Sequence, residues 1–379
     1  MKAGKLFLLV AGIVQLLSCK EPFEPAVKNG HGAFLVVEGV ISTSGPTTIR
    51  LSRTINVSGA NAPMPVAGAS VMVEGDDHTS FLLPYAGDGT YQAPQLNLAT
   101  GQGYRLRIRT PEGKEFLSDY STARANPDID HVVWKRDDQG VGIYVNTHDP
   151  DNNTRYYRWE YVETWQTRSY AYSSVKFTPS WQGLTRPPDE AEQLYTCWKT
   201  TPSTNILISS SARLSEDVIS DYPLVRIPND DEKLAIRYSI LVRQYALTRE
   251  AFEYLQRMKK NSEQMGSIFD PQPSEARGNI RCLTDPDEPV IGYVTVSPVF
   301  ERRIFIDRSD VPGWNYMFAC VMDDVKNHKD SLEAVFGHGD NIAIEPIEQE
   351  GKVTRYIYST AQCMDCRIFG SNIKPDFWY

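Results

Sequence analysis

The chain has 379 residues and a formal net charge of −9 at pH 7. This negative charge argues against a nucleic-acid partner, because phosphates repel an acidic protein, and the lack of a long apolar run beyond the first 20 residues excludes a polytopic membrane protein. The hydrophobic content of 41% allows a large core, and the 20 tyrosines, 7 tryptophans and 24 prolines favour an all-β protein rich in loops.

The first 19 residues have the pattern of a lipoprotein export signal. Lys2 and Lys5 precede an apolar run over residues 6–17, and the small Ser18 stands directly before Cys19. The run is shorter than the ~20 residues of a membrane-spanning helix. We therefore expect residues 1–18 to be cleaved and Cys19 to be acylated, which would anchor the protein to a membrane by lipid. The alternative is an ordinary cleaved signal with an incidental cysteine.

The segment that follows Cys19 has little to bury. It contains two Glu-Pro pairs and then a Lys-Asn-Gly-His-Gly run. Such a composition is typical of an extended linker. We expect residues 19–32 to form a lipidated tether.

From residue 33 the pattern changes to short strands about ten residues apart. Several of them alternate apolar and polar residues with a period of two, and turns rich in Gly, Pro and Asp separate them. The predicted strands cover residues 34–41, 48–53, 66–73, 80–83, 90–91, 104–110 and 115–118. This spacing is typical of an immunoglobulin-like β-sandwich, which we assign to residues 33–124.

A second β unit, assigned to residues 125–379, begins after an Asn-Pro-Asp boundary. Its most distinctive strand is predicted at residues 155–165, where Tyr157, Trp159 and Tyr161 share one face. The order of a strand, a polar loop and an aromatic strand is typical of a fibronectin-like sandwich.

Two features enlarge this second sandwich. Residues 170–202 are polar and turn-rich, which favours an insertion or a long loop. Apolar residues at helical spacing predict one helix near residues 248–265, with Thr248 as its N-cap. The predicted fold is therefore all-β, with two β-sandwich domains of which the second carries insertions and this helix.

Aromatic residues in the polar segment are the best candidates for ligand contacts. Tyr170, Tyr172 and Trp181 combine apolar area with a polar tip, which suits binding to a sugar, a peptide or a protein. Aromatic residues on the strands are instead expected to be core.

Five cysteines remain if Cys19 is acylated, and this odd number allows two disulfides and one free thiol in an oxidising compartment. Cys320 lies in an apolar run and is the candidate for the unpaired, buried thiol. The disulfide candidates are Cys197, Cys282, Cys363 and Cys366. Their connectivity does not follow from the sequence.

No catalytic or metal-binding motif is present in the sequence. It contains neither Gly-x-Ser-x-Gly nor His-Glu-x-x-His, so we predict no catalytic residue, no metal site and no cofactor. Residues 148–153 and 285–289 concentrate oxygen ligands as calcium loops do, but the first lacks the Gly and Glu of an EF-hand. Turns are the favoured interpretation of both loops.

Several stretches together resemble an uncharacterised lipoprotein family of the Bacteroidota, described as a domain of unknown function. They are residues 34–41, 51–54, 156–160, 163–165, 278–280, 292–293, 363–367 and 374–378. The resemblance covers nearly the whole mature chain. It implies a role beside TonB-dependent outer-membrane receptors, whose genes neighbour those of the family, and it supplies no catalytic residues.

Glu21 and Glu24 resemble the acidic signal that sends Bacteroidota lipoproteins to the cell surface. We therefore expect a lipid-anchored protein of the outer membrane, facing the cell exterior, that is a non-enzymatic ligand-capture subunit of a TonB-dependent receptor. Two alternatives stay open. One is a surface hydrolase of glycans or peptides with an unrecognised carboxylate pair, and the other is a structural component of the envelope or of adhesion.

Overall fold

A computed structural model of the protein describes residues 33–54, 64–123, 125–263 and 277–379. Strands make up 49% of the structure and helices 14%, so the prediction of an all-β fold of sandwich type is confirmed. The predicted signal peptide, the tether and Cys19 lie outside the described residues.

The strands follow one another with few helices between them. In chain order they are β1 (Leu35–Ser42), β2 (Pro46–Arg53), β3 (Met64–Pro65), β4 (Ser70–Gly75), β5 (Ser80–Leu83), β6 (Tyr85–Gly87), β7 (Thr90–Gln95), β8 (Gly103–Arg109), β9 (Glu115–Ser118), β10 (Ser121–Thr122), β11 (His131–Asp137), β12 (Gly140–Asp149), β13 (Tyr156–Arg168), β14 (Val175–Phe177), β15 (Gly183–Thr185), β16 (Thr196–Pro202), β17 (Leu207–Ser210), β18 (Asp217–Pro228), β19 (Arg237–Ala246), β20 (Ile280–Cys282), β21 (Val290–Ile291), β22 (Thr295–Ser297), β23 (Val299–Asp307), β24 (Asp323–Lys326), β25 (Asn341–Gln349) and β26 (Lys352–Thr360). The helices are α1 (Pro188–Tyr195), α2 (Arg249–Glu263), α3 (Lys329–Phe336) and α4 (Ala361–Met364), with 3-10 turns at Glu232–Leu234, Arg308–Asp310 and Cys366–Ile368.

The first sandwich consists of two sheets. One has the order β21-β1-β2-β7-β6, with β22 beside β1 and β3 beside β2, and the other has the order β20-β9-β8-β4-β5, with β10 beside β8. Alternate residues of the long strands are buried between the sheets, and they include Leu35, Leu51, Val73, Ile108 and Phe116. The period-two pattern of the sequence therefore corresponds to one buried face on each strand.

Three short strands between residues 280 and 297 belong to the first sandwich, although they follow most of the second sandwich in the sequence. β20 pairs antiparallel with β9, and β21 and β22 pair parallel with β1. Gly292 has a φ of 146°, and a Cβ there would lie 2.3 Å from the carbonyl oxygen of Val37, so glycine is required for this close approach. The range 33–124 predicted for the first sandwich therefore omits strands that lie between residues 280 and 297.

The second sandwich packs the sheet β11-β12-β18 against the sheet β16-β13-β19-β23, which also carries β17. Tyr157, Trp159 and Tyr161 of β13 are buried in its core, whereas Arg158 and Glu160 on the opposite face are partly exposed. The predicted separation of the two faces of this strand is confirmed.

The predicted helix is also present. α2 begins at Arg249, and the Thr248 hydroxyl accepts a hydrogen bond from the Ala251 amide at 3.2 Å, as an N-cap does. The end of the predicted range, residues 264–265, lies outside the described residues.

Residues 170–202, which were predicted to be an insertion or a long loop, contain regular secondary structure. It forms the hairpin β14–β15, then α1, and then β16, which pairs along β13. The hairpin packs on a third small core with the sheet β24-β26-β25 and α3. This core includes Val175, Val325, Leu332, Ala343 and Tyr356.

Two disulfides cross-link the C-terminal part of the chain. Cys197 bonds to Cys366, and Cys320 bonds to Cys363, while Cys282 is a buried free thiol. The expectation that Cys282 forms a disulfide and that Cys320 is unpaired is therefore wrong. The physical reason is topological, because β20 carries Cys282 into the core of the first sandwich and the other four cysteines lie in the second half of the structure.

The side chain of Gln244 in β19 joins several elements where the two sandwiches meet. It is fully buried, accepts a hydrogen bond from Trp159 Nε1 at 2.8 Å, and donates to the Pro127 carbonyl at 2.8 Å and to the Thr147 hydroxyl at 3.0 Å. The Asn126 amide donates to the backbone carbonyl of Gln244 at 3.0 Å. All polar atoms of the Gln244 side chain therefore have partners in the linker or in the second sandwich.

Replacement of this glutamine should strongly destabilise the protein. Gln244→Leu would leave two buried donors or acceptors unpaired, and each costs about 1–3 kcal/mol. We expect the free energy of unfolding to fall by about 3–5 kcal/mol, measured by urea denaturation. Gln349→Leu, at an exposed position at the end of β25, is the matched control and should change it by less than about 0.5 kcal/mol. An equal effect of both variants would contradict this role of Gln244.

The disulfide pattern predicts a simple thiol count. A soluble form that begins at Lys20 should show no thiol reactive towards Ellman's reagent when folded, because Cys282 is buried. It should show one thiol per chain after unfolding in guanidinium chloride without reductant. Cys282→Ser should abolish this reaction, and Cys320→Ser should instead expose a second thiol, at Cys363.

Candidate functional site

A cleft of about 790 Å³ lies between the two sandwiches. One wall comes from β1, β2, β7 and the β1–β2 turn, and the other comes from the exposed face of β13, β19 and β23. Ser44 in the turn links the two walls, since its hydroxyl donates to the Val299 carbonyl at 3.2 Å and accepts from the Val299 amide at 2.9 Å. The cleft is therefore a feature of both sandwiches together.

The wall formed by β13, β19 and β23 carries an array of paired charges on neighbouring strands. Arg158 pairs with Glu160 on β13, and Arg243 of β19 pairs with Glu301 of β23 at 2.6 Å. The hydroxyl of Tyr245 donates to Glu160 at 2.8 Å. Burial, followed by the charge of Glu160, raises the pKa of Tyr245 above its usual range, so the phenol stays a neutral hydrogen-bond donor.

The charges that line the cleft balance. Arg50, Arg158 and Arg243 face Glu38, Glu160 and Glu301. A cleft of this kind offers closely spaced donors and acceptors without a net field, which suits a neutral or zwitterionic polar ligand better than a polyanion. Glu160 and Glu301 both bond to arginines, so the arrangement favours binding over acid–base chemistry. Among the described residues, no group of three or more His, Cys, Asp or Glu side chains could hold a metal ion.

The aromatic residues predicted as ligand contacts lie elsewhere, in the segment between β13 and β16. Tyr170 and Tyr172 are 41% and 40% exposed. The Tyr172 hydroxyl donates to the Pro188 carbonyl at 2.9 Å, and its ring packs edge-on against Tyr195. Trp181 lies in the β14–β15 turn with a φ of 65° and packs against the third core. Tyr172 and Trp181 thus have packing roles, and none of the three predicted residues lines the cleft.

The loop at residues 148–153 has the geometry of a turn, which is the interpretation that the sequence favoured. The Asp149 carboxylate accepts hydrogen bonds from the backbone amides of Asp151 and Asn153 at 3.0 Å and of Thr154 at 2.7 Å. Its oxygens therefore bond to the loop itself. At residues 285–289, Glu288 is buried and pairs with Lys114 at 2.5 Å.

A second surface stands out at the C-terminal end of the chain. Its apolar side chains are exposed, up to 87% for Met317 and 84% for Val321. We call it the C-terminal apolar surface and define it by Met317, Phe318, Val321, Met322, Ile368, Phe369, Ile373, Phe377 and Tyr379. Sequence reasoning missed it because an apolar run such as residues 314–321 normally indicates a buried segment.

Residues 20–303 match the family model of the domain of unknown function DUF4249. The chain belongs to this family. No curated protein matches the sequence. The DUF4249 match includes every residue that lines the cleft and ends before the C-terminal apolar surface.

The role of Asp149 in this DUF4249 protein can be tested by mutation. Its pKa is lowered, since burial raises it but the backbone hydrogen bonds lower it by more. A lowered pKa means that the carboxylate stabilises the fold at neutral pH and that this contribution is lost as the pH falls through the folded-state pKa. Asp149→Ala should cost about 1–2 kcal/mol at pH 7, and the difference from wild type should shrink towards pH 3.

The control is Asp151→Ala, which changes an exposed aspartate of the same loop and should have little effect. Both measurements use urea denaturation. A thermal midpoint that rises with calcium in wild type, and not in Asp149→Ala, would instead show that the loop is a calcium site.

Proposed function

We propose that this DUF4249 protein is a lipid-anchored, non-enzymatic protein of the outer cell surface that captures a polar ligand for a TonB-dependent outer-membrane receptor. The observation that carries the proposal is the cleft between the sandwiches. Its volume falls within the range of about 300–1,000 Å³ that is typical of small-molecule sites, and such sites often lie between domains.

The chemistry of the cleft supports capture of a ligand. Guanidinium, carboxylate, hydroxyl and phenol groups line the cleft, and Tyr245 and Phe300 add aromatic area. The side chains are already held by ion pairs, so a ligand would meet a preformed set of donors and acceptors. Preformed sites lose less conformational entropy on binding.

The N-terminal pattern supports a location at a membrane surface. Cys19 follows an apolar run as in lipoprotein signals, and residues 19–32 would span at most ~50 Å if fully extended. No helix within the described ranges is long and apolar enough to cross a bilayer. Two glutamates close to Cys19 support export to the outer face.

The experiment is an affinity purification of the native lipoprotein from detergent-solubilised membranes, with mass spectrometry of the proteins that accompany it. We expect a TonB-dependent receptor in stoichiometric amount. Cys19→Ser should abolish incorporation of an alkyne-labelled fatty acid and release the protein from the membrane fraction, because the thiol is the acylation site. Cys282→Ser is the matched control and should remain labelled. A lipidated wild-type protein that purifies alone would count against the receptor role.

A further inference from the structure

The strand β23 forms one edge of the sheet β16-β13-β19-β23 and pairs on one side only, with β19. It follows β19 in one unbroken antiparallel register. The backbone amide of Arg308 continues this ladder by donating to the carbonyl of Ile236, so the even-numbered residues of β23 bond to β19. The odd-numbered residues therefore direct their backbone N–H and C=O groups away from β19, to the open side of the strand.

Ser44 confirms this direction at the start of β23. Its hydroxyl accepts a hydrogen bond from the Val299 amide at 2.9 Å and donates to the Val299 carbonyl at 3.2 Å. Further along the strand, the outward backbone groups of Glu301, Arg303 and Phe305 have no hydrogen-bond partner among the described residues. These groups repeat about every 6.8 Å, which is the two-residue period of an extended chain.

Other edge strands of the second sandwich have features that prevent pairing with a further chain. β16, at the opposite edge of the same sheet, is covered at Trp198, whose backbone exchanges hydrogen bonds with Ser371 at 2.8 and 2.9 Å. β18 contains Pro223 and Pro228 and has irregularities in its register. Covering segments, prolines and bulges are the usual protection of an edge. β23 has no proline and no bulge, so its charged residues decide what can pair with it.

The charges of β23 favour an acidic partner strand. Glu301 is already neutralised by its ion pair with an arginine of β19. Arg302 donates to the Asp130 carbonyl at 2.6 Å, and Arg303 donates to the Ser239 hydroxyl at 3.1 Å. Within the described ranges, neither arginine forms an ion pair with a carboxylate. A carboxylate opposite Arg303 on an added strand would meet an unpaired cation, and opposite charges on neighbouring strands stabilise their pairing.

The open edge leads directly into the cleft. Val299, Phe300 and Glu301, at the start of β23, line the cleft. Ser44 occupies the outward backbone groups of Val299, so an added strand would stop pairing at this point and its chain would continue into the cleft. The donors and acceptors of both signs on the cleft walls suit the charged end of a peptide.

We propose that the open edge of β23 binds an extended oligopeptide as an added strand, with an acidic side chain of the peptide beside Arg303 and one end of the peptide in the cleft. Such a backbone offers N–H and C=O groups with the same two-residue repeat, which carbohydrates lack. This inference rests on the proposed function, because it names the chemical class of the ligand that the cleft captures. Backbone pairing supplies affinity, and Arg303 supplies the preference for an acidic residue.

The test uses the full lipidated protein in detergent and two libraries of heptapeptides with free ends. One library has Glu at its central position and the other has Gln, while the remaining positions vary among residues that favour strands. We expect wild type to retain the Glu library at least about threefold more than the Gln library, as measured by mass spectrometry. Arg303→Gln should remove this preference, and Arg109→Gln, at an exposed position of the first sandwich, is the matched control and should keep it.

N-methylation distinguishes an added strand from binding in the cleft alone. Methyl groups on alternate residues of a retained peptide block either the N–H groups that face β23 or those that face solvent. We expect one pattern to weaken binding at least about tenfold in calorimetry and the other to have little effect. Arg303→Pro removes an outward N–H without breaking a bond to β19, so it should weaken binding of the unmethylated peptide by a similar factor. Arg303→Gln keeps the test valid if the proline prevents folding.

The outcomes for this inference and for the proposed function are separable. Retention of neither library would refute the peptide as the ligand, and a receptor that still accompanies the wild type would leave the proposed function standing. Peptides that bind equally well with either N-methyl pattern would refute the added strand. A dimer in sedimentation that Arg303→Pro abolishes would make the occupant of the edge a second copy of this chain. Peptide binding as expected, by a protein that purifies without a receptor, would support the peptide site and count against the receptor role.

Discussion

The buried amide of Gln244 holds the linker between the two sandwiches against the second sandwich. Its side chain joins β19 to Trp159 of β13, to Thr147 of β12 and to the linker carbonyl of Pro127. Asn126, next to Pro127, donates to the carbonyls of Gln244 and Pro298, so the entry to β23 belongs to the same network. Every polar atom of the Gln244 side chain has a partner in this network, and a buried polar group without one would destabilise the fold. The linker and the start of β23, which contributes to one wall of the cleft, are therefore held against the second sandwich.

The cleft and the C-terminal apolar surface differ in chemistry because they lie at different parts of the sheet β16-β13-β19-β23. Near the cleft, the exposed face of β13, β19 and β23 carries arginines and glutamates that pair across the strands. At the far end, the same sheet is flanked by the C-terminal segment, whose aromatic and aliphatic side chains stay partly exposed. Charged pairs can remain hydrated in an open cleft, whereas exposed apolar side chains gain free energy when they are covered. The paired charges of the cleft are the physical basis for our proposal that it captures a polar ligand.

Cross-links compensate for the modest size of the third core. That core contains five buried hydrophobic residues among the described part of the chain, far fewer than either sandwich. Cys197–Cys366 closes a loop of 169 residues and Cys320–Cys363 one of 43. Long closed loops limit the freedom of the unfolded chain most, which on the chain-entropy model stabilises the fold by about 4–5 kcal/mol per disulfide. Such bonds persist in an oxidising compartment.

The sequence by itself determined the all-β class, most of the long strands, the two faces of β13 and the position of α2. These features depend on local patterns, namely alternation of apolar and polar residues and an N-cap threonine. Only the tertiary structure decided which cysteines pair, that residues 280–297 complete the first sandwich, and where the cleft and the apolar surface lie. The strands β20, β21 and β22 have two or three residues each, too few to show a period. The fates of Cys282 and Cys320 and the meeting of Ser44 with Val299 depend on contacts between residues far apart in the chain, and no local pattern encodes such contacts.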